Sequence, residues 1–189
     1  SEELGRRLAI NPEQIRKDLA LFGQFGKKGV GYYVAELKES IGGILGLDQH
    51  WNVAIIGMGH LGAALANYQG IARLGFRLAA IFDANPVVIG TRVGERRVED
   101  IAYLAEIIAE RDIRIGVIAV PAAAAQGVAD QLVAAGIRGI WNFAPVSLQV
   151  PSHIPFVSED LSVGLSALSY YLAHASAEDE ELSDKNSRN

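Results

Sequence analysis

The chain has 189 residues, half of them hydrophobic, and a formal net charge of −5. That length suits one full α/β domain with a smaller appendage. It has no cysteine, which excludes disulfides, thiolate metal sites and a cysteine nucleophile. No apolar run approaches the roughly 18 residues that a membrane span needs, and the polar opening Ser1-Glu2-Glu3 does not read as a signal peptide, so a cytoplasmic protein is expected. An acidic chain is not a general nucleic-acid binder, but the charge is uneven. It is +1 over residues 1–47, −3 over 48–174 and −3 over 175–189. A local basic patch is therefore to be sought at the N-terminus.

Glu2–Leu8 reads as a helix and Ala9-Ile10-Asn11 as a tight turn. Asn11 stands as an N-cap, with Pro12 at N1 and Gln14 at N3 in a capping-box arrangement. A second helix runs to about Phe22, closed by Gly23. Leu4, Leu8, Ile15, Leu19 and Phe22 give both helices one apolar side. Two short helices joined by a three-residue turn suit a helix-turn-helix. The second helix of that motif enters the major groove with its N-terminal residues leading, which would turn Gln14, Arg16 and Lys17 to DNA. Four glycines around Lys27 and Lys28 follow, a flexible basic hairpin able to act as a wing on phosphate or in the minor groove. Net charge from Gln14 to Gly31 is +3. The alternative is an ordinary two-helix cap with a basic loop.

Residues 48–150 alternate apolar strands with helices. Val53–Ile56 is a continuous apolar run, as in a strand buried on both faces. A helix follows at about Leu61–Tyr68, then a strand over Phe76–Phe82 and helical periodicity over Val98–Glu110. Ile115–Val120 is a further strand stopped by Pro121. Ala122–Ala135 is an Ala-rich helix ended by Gly136, and Gly139–Phe143 is a strand stopped by Pro145. Such alternation predicts parallel β-α-β units in a doubly wound sheet. Residues 151–174 read as a loop and one more apolar helix. The polar stretch 175–189 lacks periodicity and is expected to be disordered.

Gly57-Met58-Gly59-His60-Leu61-Gly62 has the pattern Gly-x-Gly-x-x-Gly directly after a buried strand and at the start of a helix. There Gly57 permits a tight turn, Gly59 lets the backbone approach a pyrophosphate and Gly62 lets helix and strand pack closely. The helix start offers free N–H groups and its positive dipole end to the phosphates. Asp83 ends the second strand, 21 residues after Gly62, where an acid meets the ribose 2′-hydroxyl. Ala84-Asn85-Pro86 follow, with no arginine for a 2′-phosphate, so NAD(H) is expected rather than NADP(H). Asp83 can also be read as the turn-forming residue of Asp-x-Asn-Pro. Val120-Pro121 and Asn142-Phe143 end strands on the carboxyl side of the sheet, where ligands bind in such folds. Each pair reads equally as a strand stop.

Catalytic groups are scarce. His50, His60, His153 and His174 lie in separate segments and read as surface residues. No lysine occurs between Lys38 and Lys185, no Tyr-x-x-x-Lys is present, and no His/Asp/Glu group has metal-ligand spacing. The stretch after Pro145 is too short for a substrate domain. A good cofactor site without chemistry points to a sensor rather than an enzyme.

Ile15-Arg16-Lys17-Asp18-Leu19-Ala20-Leu21-Phe22-Gly23 and Lys27-Lys28-Gly29-Val30-Gly31-Tyr32 resemble the recognition helix and wing of the redox-sensing transcriptional repressors called Rex. The segment from Ile56 through Gly57 and Gly62 to Tyr68 is similar to that family's nucleotide loop and first helix. Phe82-Asp83, Val120-Pro121 and Asn142-Phe143-Ala144-Pro145-Val146 match its later landmarks, and Glu159-Asp160-Leu161 with Gly164-Leu165 its C-terminal end. The likeness covers nearly the whole chain except the acidic tail. It implies a winged helix-turn-helix over 1–47, a Rossmann-type doubly wound NAD(H) domain over 48–150, and a loop with a domain-swapped dimerisation helix over 151–174. It implies a homodimer that binds palindromic operator DNA when NADH is scarce, is released by NADH, and has no metal. It also places Tyr68 and Asp160 in a network near the nicotinamide. The bland alternatives are core packing for Tyr68 and helix capping for Asp160.

Three features depart from that pattern. The helix that opens the family's winged domain, whose arginine can pair with the acid matching Asp160, is not represented ahead of Ser1. Ala122 follows the Val-Pro pair where a charged residue is frequent, and Leu161 stands where an aromatic is common. Two other readings compete: a small NAD-dependent oxidoreductase, which lacks its acid or base, and a CoA- or nucleotide-binding module of a larger assembly, against which Asp83 and the basic helix-turn-helix count.

Overall fold

The computed structural model of the chain describes residues 2–26 and 31–186. The expected wing residues Lys27 and Lys28 lie outside the described residues. In chain order the helices and strands are α1 (Glu2–Leu8), α2 (Pro12–Phe22), α3 (Val34–Ile44), β1 (Trp51–Ile56), α4 (His60–Ala66), α5 (Gln69–Arg73), β2 (Phe76–Asp83), β3 (Arg92–Val93), β4 (Arg96–Asp100), α6 (Leu104–Glu110), β5 (Ile113–Ile118), α7 (Ala122–Ala134), β6 (Gly139–Asn142), β7 (Phe156–Ser158) and α8 (Val163–Asn186). They form two compact units, Ser1–Trp51 with Gln69–Arg77, and Asn52–Tyr68 with Leu78–Asn189. Residues 48–51 and the segment around α5 belong with the N-terminal helices, because the Trp51 amide donates to Gly75 O (3.2 Å) and its indole to Gly46 O (3.2 Å).

In the first unit, α1 ends in a left-handed turn. Ala9 has φ 53°, and the Ile10 amide reaches back to Gly5 O at 3.0 Å. This is the six-to-one bond of a Schellman-type C-cap, with alanine where glycine is usual. Gly5 is forced by proximity, since a Cβ there would lie 2.7 Å from Ile10 O and 2.9 Å from Pro12 Cγ. The Asn11 side chain accepts from the Glu13 amide at 2.8 Å, so the expected N-cap forms. The expected reciprocal half of the capping box does not. The Gln14 amide donates instead to Asp18 Oδ1 at 2.6 Å, one turn further on, where a charged acceptor is in reach.

The second unit holds the sheet, in the order β3-β4-β2-β1-β5-β6-β7. The pairs β1–β5, β2–β4, β5–β6 and β6–β7 are parallel, and β3–β4 is antiparallel. The order reverses between β1 and β5, the switch point of a doubly wound sheet. The central strands are buried on both faces, which explains their unbroken apolar runs: Ile55, Ile56, Ile81, Phe82 and Ile118 are at most 1% exposed. Helix α7 lies close enough to the sheet that a Cβ on Gly116 would meet Leu132 Cδ1 at 2.7 Å.

Three expectations are corrected. Val98–Glu110 is not one helix. Val98 sits in β4 opposite Ile81, and Asp100 then accepts from the Ala102 amide (2.9 Å), so helical structure begins only beyond it. The short strands β3 and β7 were hidden because two- and three-residue runs carry no readable alternation. The stretch from Ala175 is not irregular: α8 continues to Asn186. Extension of a nucleated helix needs no apolar face, and Ala175, Ala177, Glu178, Glu180 and Glu181 are good helix formers.

Candidate functional site

The carboxyl ends of the strands are joined by one continuous ladder. Ile56, Ile118, Asn142 and Ser158 are in register across β1, β5, β6 and β7. The residue after each strand bonds sideways: Gly57 N to Phe82 O (2.8 Å), Ala119 N to Ile56 O (2.8 Å), Phe143 N to Ile118 O (2.9 Å) and Glu159 N to Asn142 O (2.8 Å). This row brings together the glycine loop, Asp83, Val120-Pro121 and Asn142-Phe143, which the sequence had placed on one side of the sheet.

Within the glycine loop each glycine has a different reason. Gly57 adopts φ +99°, and a Cβ would lie 2.6 Å from Ala119 O. A Cβ on Gly62 would collide with Gly57 O, so the helix start can approach the strand only through glycine. Gly59 is exposed, has φ −72°, and a Cβ there would meet nothing within 4 Å. Nothing in the chain itself requires glycine at that position. Its bare backbone leaves room for a group to approach the loop closely, the role that such a glycine has toward a pyrophosphate in dinucleotide-binding folds. Met58 and Leu61 are half-buried, and His60, exposed, opens α4.

Asp83 is held on both carboxylate oxygens. Oδ2 accepts from the Met58 amide at 2.6 Å and Oδ1 from the Asn85 amide at 2.8 Å. The turn reading of Asp83 therefore holds, through the bond from Asn85, and the carboxylate has a further role that the sequence did not suggest: it fixes the glycine loop from the end of the neighbouring strand. Each oxygen keeps a second lone pair for a hydroxyl donor, whereas a phosphate dianion at this carboxylate would be repelled.

Val120, half-buried, and Pro121, exposed, lead into α7. Phe143 is half-buried and packs its ring 4.5 Å from that of Trp141. Asn142 is wholly buried and its side chain is engaged inward, with Ala144, Val146 and Ser158, so it does not offer its amide to a ligand. Tyr68 is 64% exposed, which overturns the core-packing alternative for it. Asp160 is exposed and accepts from the Ser162 amide (2.8 Å) and hydroxyl (2.6 Å). These bonds hold its carboxyl below the ordinary value and organise the turn before α8, which begins three residues later at Val163.

Helix α2 buries Ile15 and exposes Gln14, Arg16 and Lys17. Lys17 Nζ lies 3.1 Å from Glu13 Oε1 in an exposed pair. Gly26 has φ +83°, and a Cβ there would collide with Gly31 O. Gly26 and Gly31 are thus close together. Among the described residues no group of His, Asp or Glu could hold a metal ion, and no helix is long and apolar enough to cross a membrane. The four histidines are exposed on separate segments. Trp141, whose indole donates to Glu159 Oε1 at 3.3 Å, is a neighbour of the site that motif reading missed, because only the strand register reveals it.

Residues 48–146 match the family model of the CoA binding domain. Redox-sensing transcriptional repressor Rex of Chloroflexus aurantiacus is 47% identical over 92% of this chain and 82% of its own length. The repressor of the same name from Clostridium perfringens is 46% identical over the same shares. Among solved structures, RSP in complex with β-NAD+ and operator DNA matches with a TM-score of 0.88 at 41% identity, covering 95% of this chain and 82% of that one. RSP in complex with β-NADH matches with a TM-score of 0.82 at 39% identity, covering 95% and 84%; RSP is described as a Rex-family repressor. These likenesses run through the helix-turn-helix as well as the sheet, beyond the stretch that the CoA-binding pattern spans, and the chain belongs to the family of redox-sensing transcriptional repressors called Rex.

Proposed function

We infer that this protein is a transcriptional repressor that senses the NADH/NAD+ ratio: it binds operator DNA when NADH is low and is released by NADH. The observation that carries this reading is the glycine loop, whose Gly59 faces open space and whose Met58 amide is fixed by Asp83. The relatives are named as repressors, so the oxidoreductase reading is set aside. The CoA-module reading gives way because Asp83 suits an unphosphorylated ribose.

In this reading the amides of the glycine loop and the start of α4 hold the pyrophosphate, Asp83 accepts from the adenosine ribose, and Val120, Pro121 and Phe143 line the nicotinamide end. An apolar lining favours the neutral reduced ring over the cationic oxidised one. Tyr68 and Asp160 lie near that end and report the ligand state. Gln14, Arg16 and Lys17 read the major groove, while Lys27 and Lys28 contact phosphate. Leu165, Leu168 and Tyr171, each 58–68% exposed on α8, offer the apolar face through which that helix packs on a second copy. A C2 dimer then matches a palindromic operator, in the cytoplasm where the DNA lies. NADH shifts the dimer only by its difference in affinity between the DNA-bound and released states, and DNA opposes NADH by the same factor.

Selection of bound duplexes from a random DNA library, with and without NADH, tests this. The reading expects an enriched palindrome without NADH and its loss with NADH. Enrichment of no sequence under either condition would overturn it.

A further inference from the structure

We propose that Asn142 is a positioning residue that couples the cofactor end of β6 to the segment leading into α8; this rests on the nucleotide-binding reading above. Asn142 is the one buried polar residue among the described residues and has no exposed surface. Its Nδ2 donates to Ala144 O (3.0 Å), Val146 O (3.2 Å) and Ser158 Oγ (3.1 Å), and its Oδ1 accepts from Ala144 N (3.0 Å). Two hydrogens serve three acceptors, so at least one is shared. Its main-chain oxygen accepts from the Glu159 amide at 2.8 Å. One side chain therefore holds both ends of the 143–146 loop and the tip of β7, from inside the fold.

A second link runs outside. The Trp141 indole donates to Glu159 Oε1 (3.3 Å) while its ring packs 4.5 Å from Phe143. Phe143 and the pair Ser158-Glu159 are thus joined on both sides of β6. Asp160 comes next, bonded to Ser162, and Val163 begins α8 with its amide on Asp160 O at 3.2 Å. A ligand that presses on Phe143 pushes on the 143–146 loop. That loop cannot move without lengthening bonds to Ser158 or Glu159, and the shift reaches the first turn of α8. A buried amide with all its bonds made keeps this connection rigid, so a shift at Phe143 is passed on to β7 rather than absorbed.

The test is hydrogen exchange of the full chain with and without NADH, read separately over residues 57–63 and 156–163. In the wild type NADH slows exchange in both segments. Ser158→Ala removes one acceptor at an exposed hydroxyl. It keeps the slowing over 57–63 and loses it over 156–163 by about threefold or more, the effect of one net hydrogen bond, while Ser158→Thr restores it. Asn142→Asp, which keeps the acceptor for Ala144 and lacks the donors, shows the same loss over 156–163. Should that variant not fold, the Ser158 pair decides alone. Full NADH-dependent slowing over 156–163 in Ser158→Ala would overturn the proposal, as would wild-type slowing confined to 57–63. Wild type with no slowing over 57–63 would overturn the nucleotide reading itself, and the proposal with it.

Discussion

The Met58 amide donates to Asp83 Oδ2 at 2.6 Å, linking the glycine loop after β1 to the end of β2. The same carboxylate accepts from Asn85 through its other oxygen. Asp83 therefore shapes the loop, and in the proposed reading it also presents an acceptor to the ribose. Asp83→Ala removes both, and hydrogen bonds to a charged group are each worth about 1.5–3 kcal/mol. NADH affinity should fall roughly 10–100-fold by calorimetric titration, while operator affinity changes far less. An unchanged NADH Kd would remove Asp83 from the ribose.

Gly59 and Gly62 separate the needs of the ligand from those of the fold. An alanine at 59 meets no atom of the chain, whereas one at 62 collides with Gly57 O. Gly59→Ala should keep the wild-type Tm and lose NADH affinity. Gly62→Ala should lose both, at an overpacking cost of about 1–3 kcal/mol. Thermal melts with NADH titrations of the two variants decide this; equal affinity losses at equal Tm would contradict the assignment of Gly62.

Arg16 and Lys17 stand on the exposed side of α2, away from Ile15. Removing either should weaken operator binding and leave NADH binding intact. Each variant also lacks one positive charge facing DNA, so the slope of log K against log salt should become shallower, by less than the about 0.9 of a full phosphate contact. The Lys17–Glu13 pair is exposed, so its loss costs at most about 1 kcal/mol and does not confound the result. Operator affinity measured across a salt series checks the prediction, and wild-type affinity and slope in both variants would remove α2 from the groove.

Ala9 occupies a left-handed turn at φ 53°. Left-handed backbone costs an L-residue about 1–2 kcal/mol, part of which glycine returns through its greater unfolded-state entropy. Ala9→Gly should therefore raise stability in chemical denaturation by about 0.5–1 kcal/mol. A lower midpoint would show that the turn is not strained.

Ser162 holds the Asp160 carboxyl below its ordinary value. For a depressed acid, the stabilisation is present above the unfolded pKa, near 3.9, and disappears as pH falls through the lower folded value. The turn before α8 should hold at neutral pH and open only in acid. The Ser162 amide resonance, followed by NMR, should titrate below pH 4 in the wild type and stay flat in Asp160→Asn. A midpoint above 4 would contradict the bond.

The central strands and the glycine loop were legible because burial on both faces leaves an unbroken apolar run and a ligand loop leaves glycines at fixed spacing. The turn at Asn11 was legible because a cap is a local interaction. What escaped reading depends on partners distant in sequence. Gln14 is drawn to Asp18 rather than to the cap, Val98 becomes a strand only because Ile81 is beside it, and β7 exists only by pairing with β6. The engagement of Asn142 could not be read from Asn-Phe-Ala-Pro, since one of its acceptors, Ser158, lies 16 residues away. Helix α8 outran its expected end because extension requires propensity alone.

The most direct test of the central claim is the fluorescence anisotropy of a labelled palindromic operator, bound by the full-length protein at fixed salt and titrated with NADH or with NAD+. Loss of anisotropy with NADH, and none at equal NAD+, is the predicted result. A complex that holds equally well against both nucleotides, while NADH binds the free protein, would contradict it.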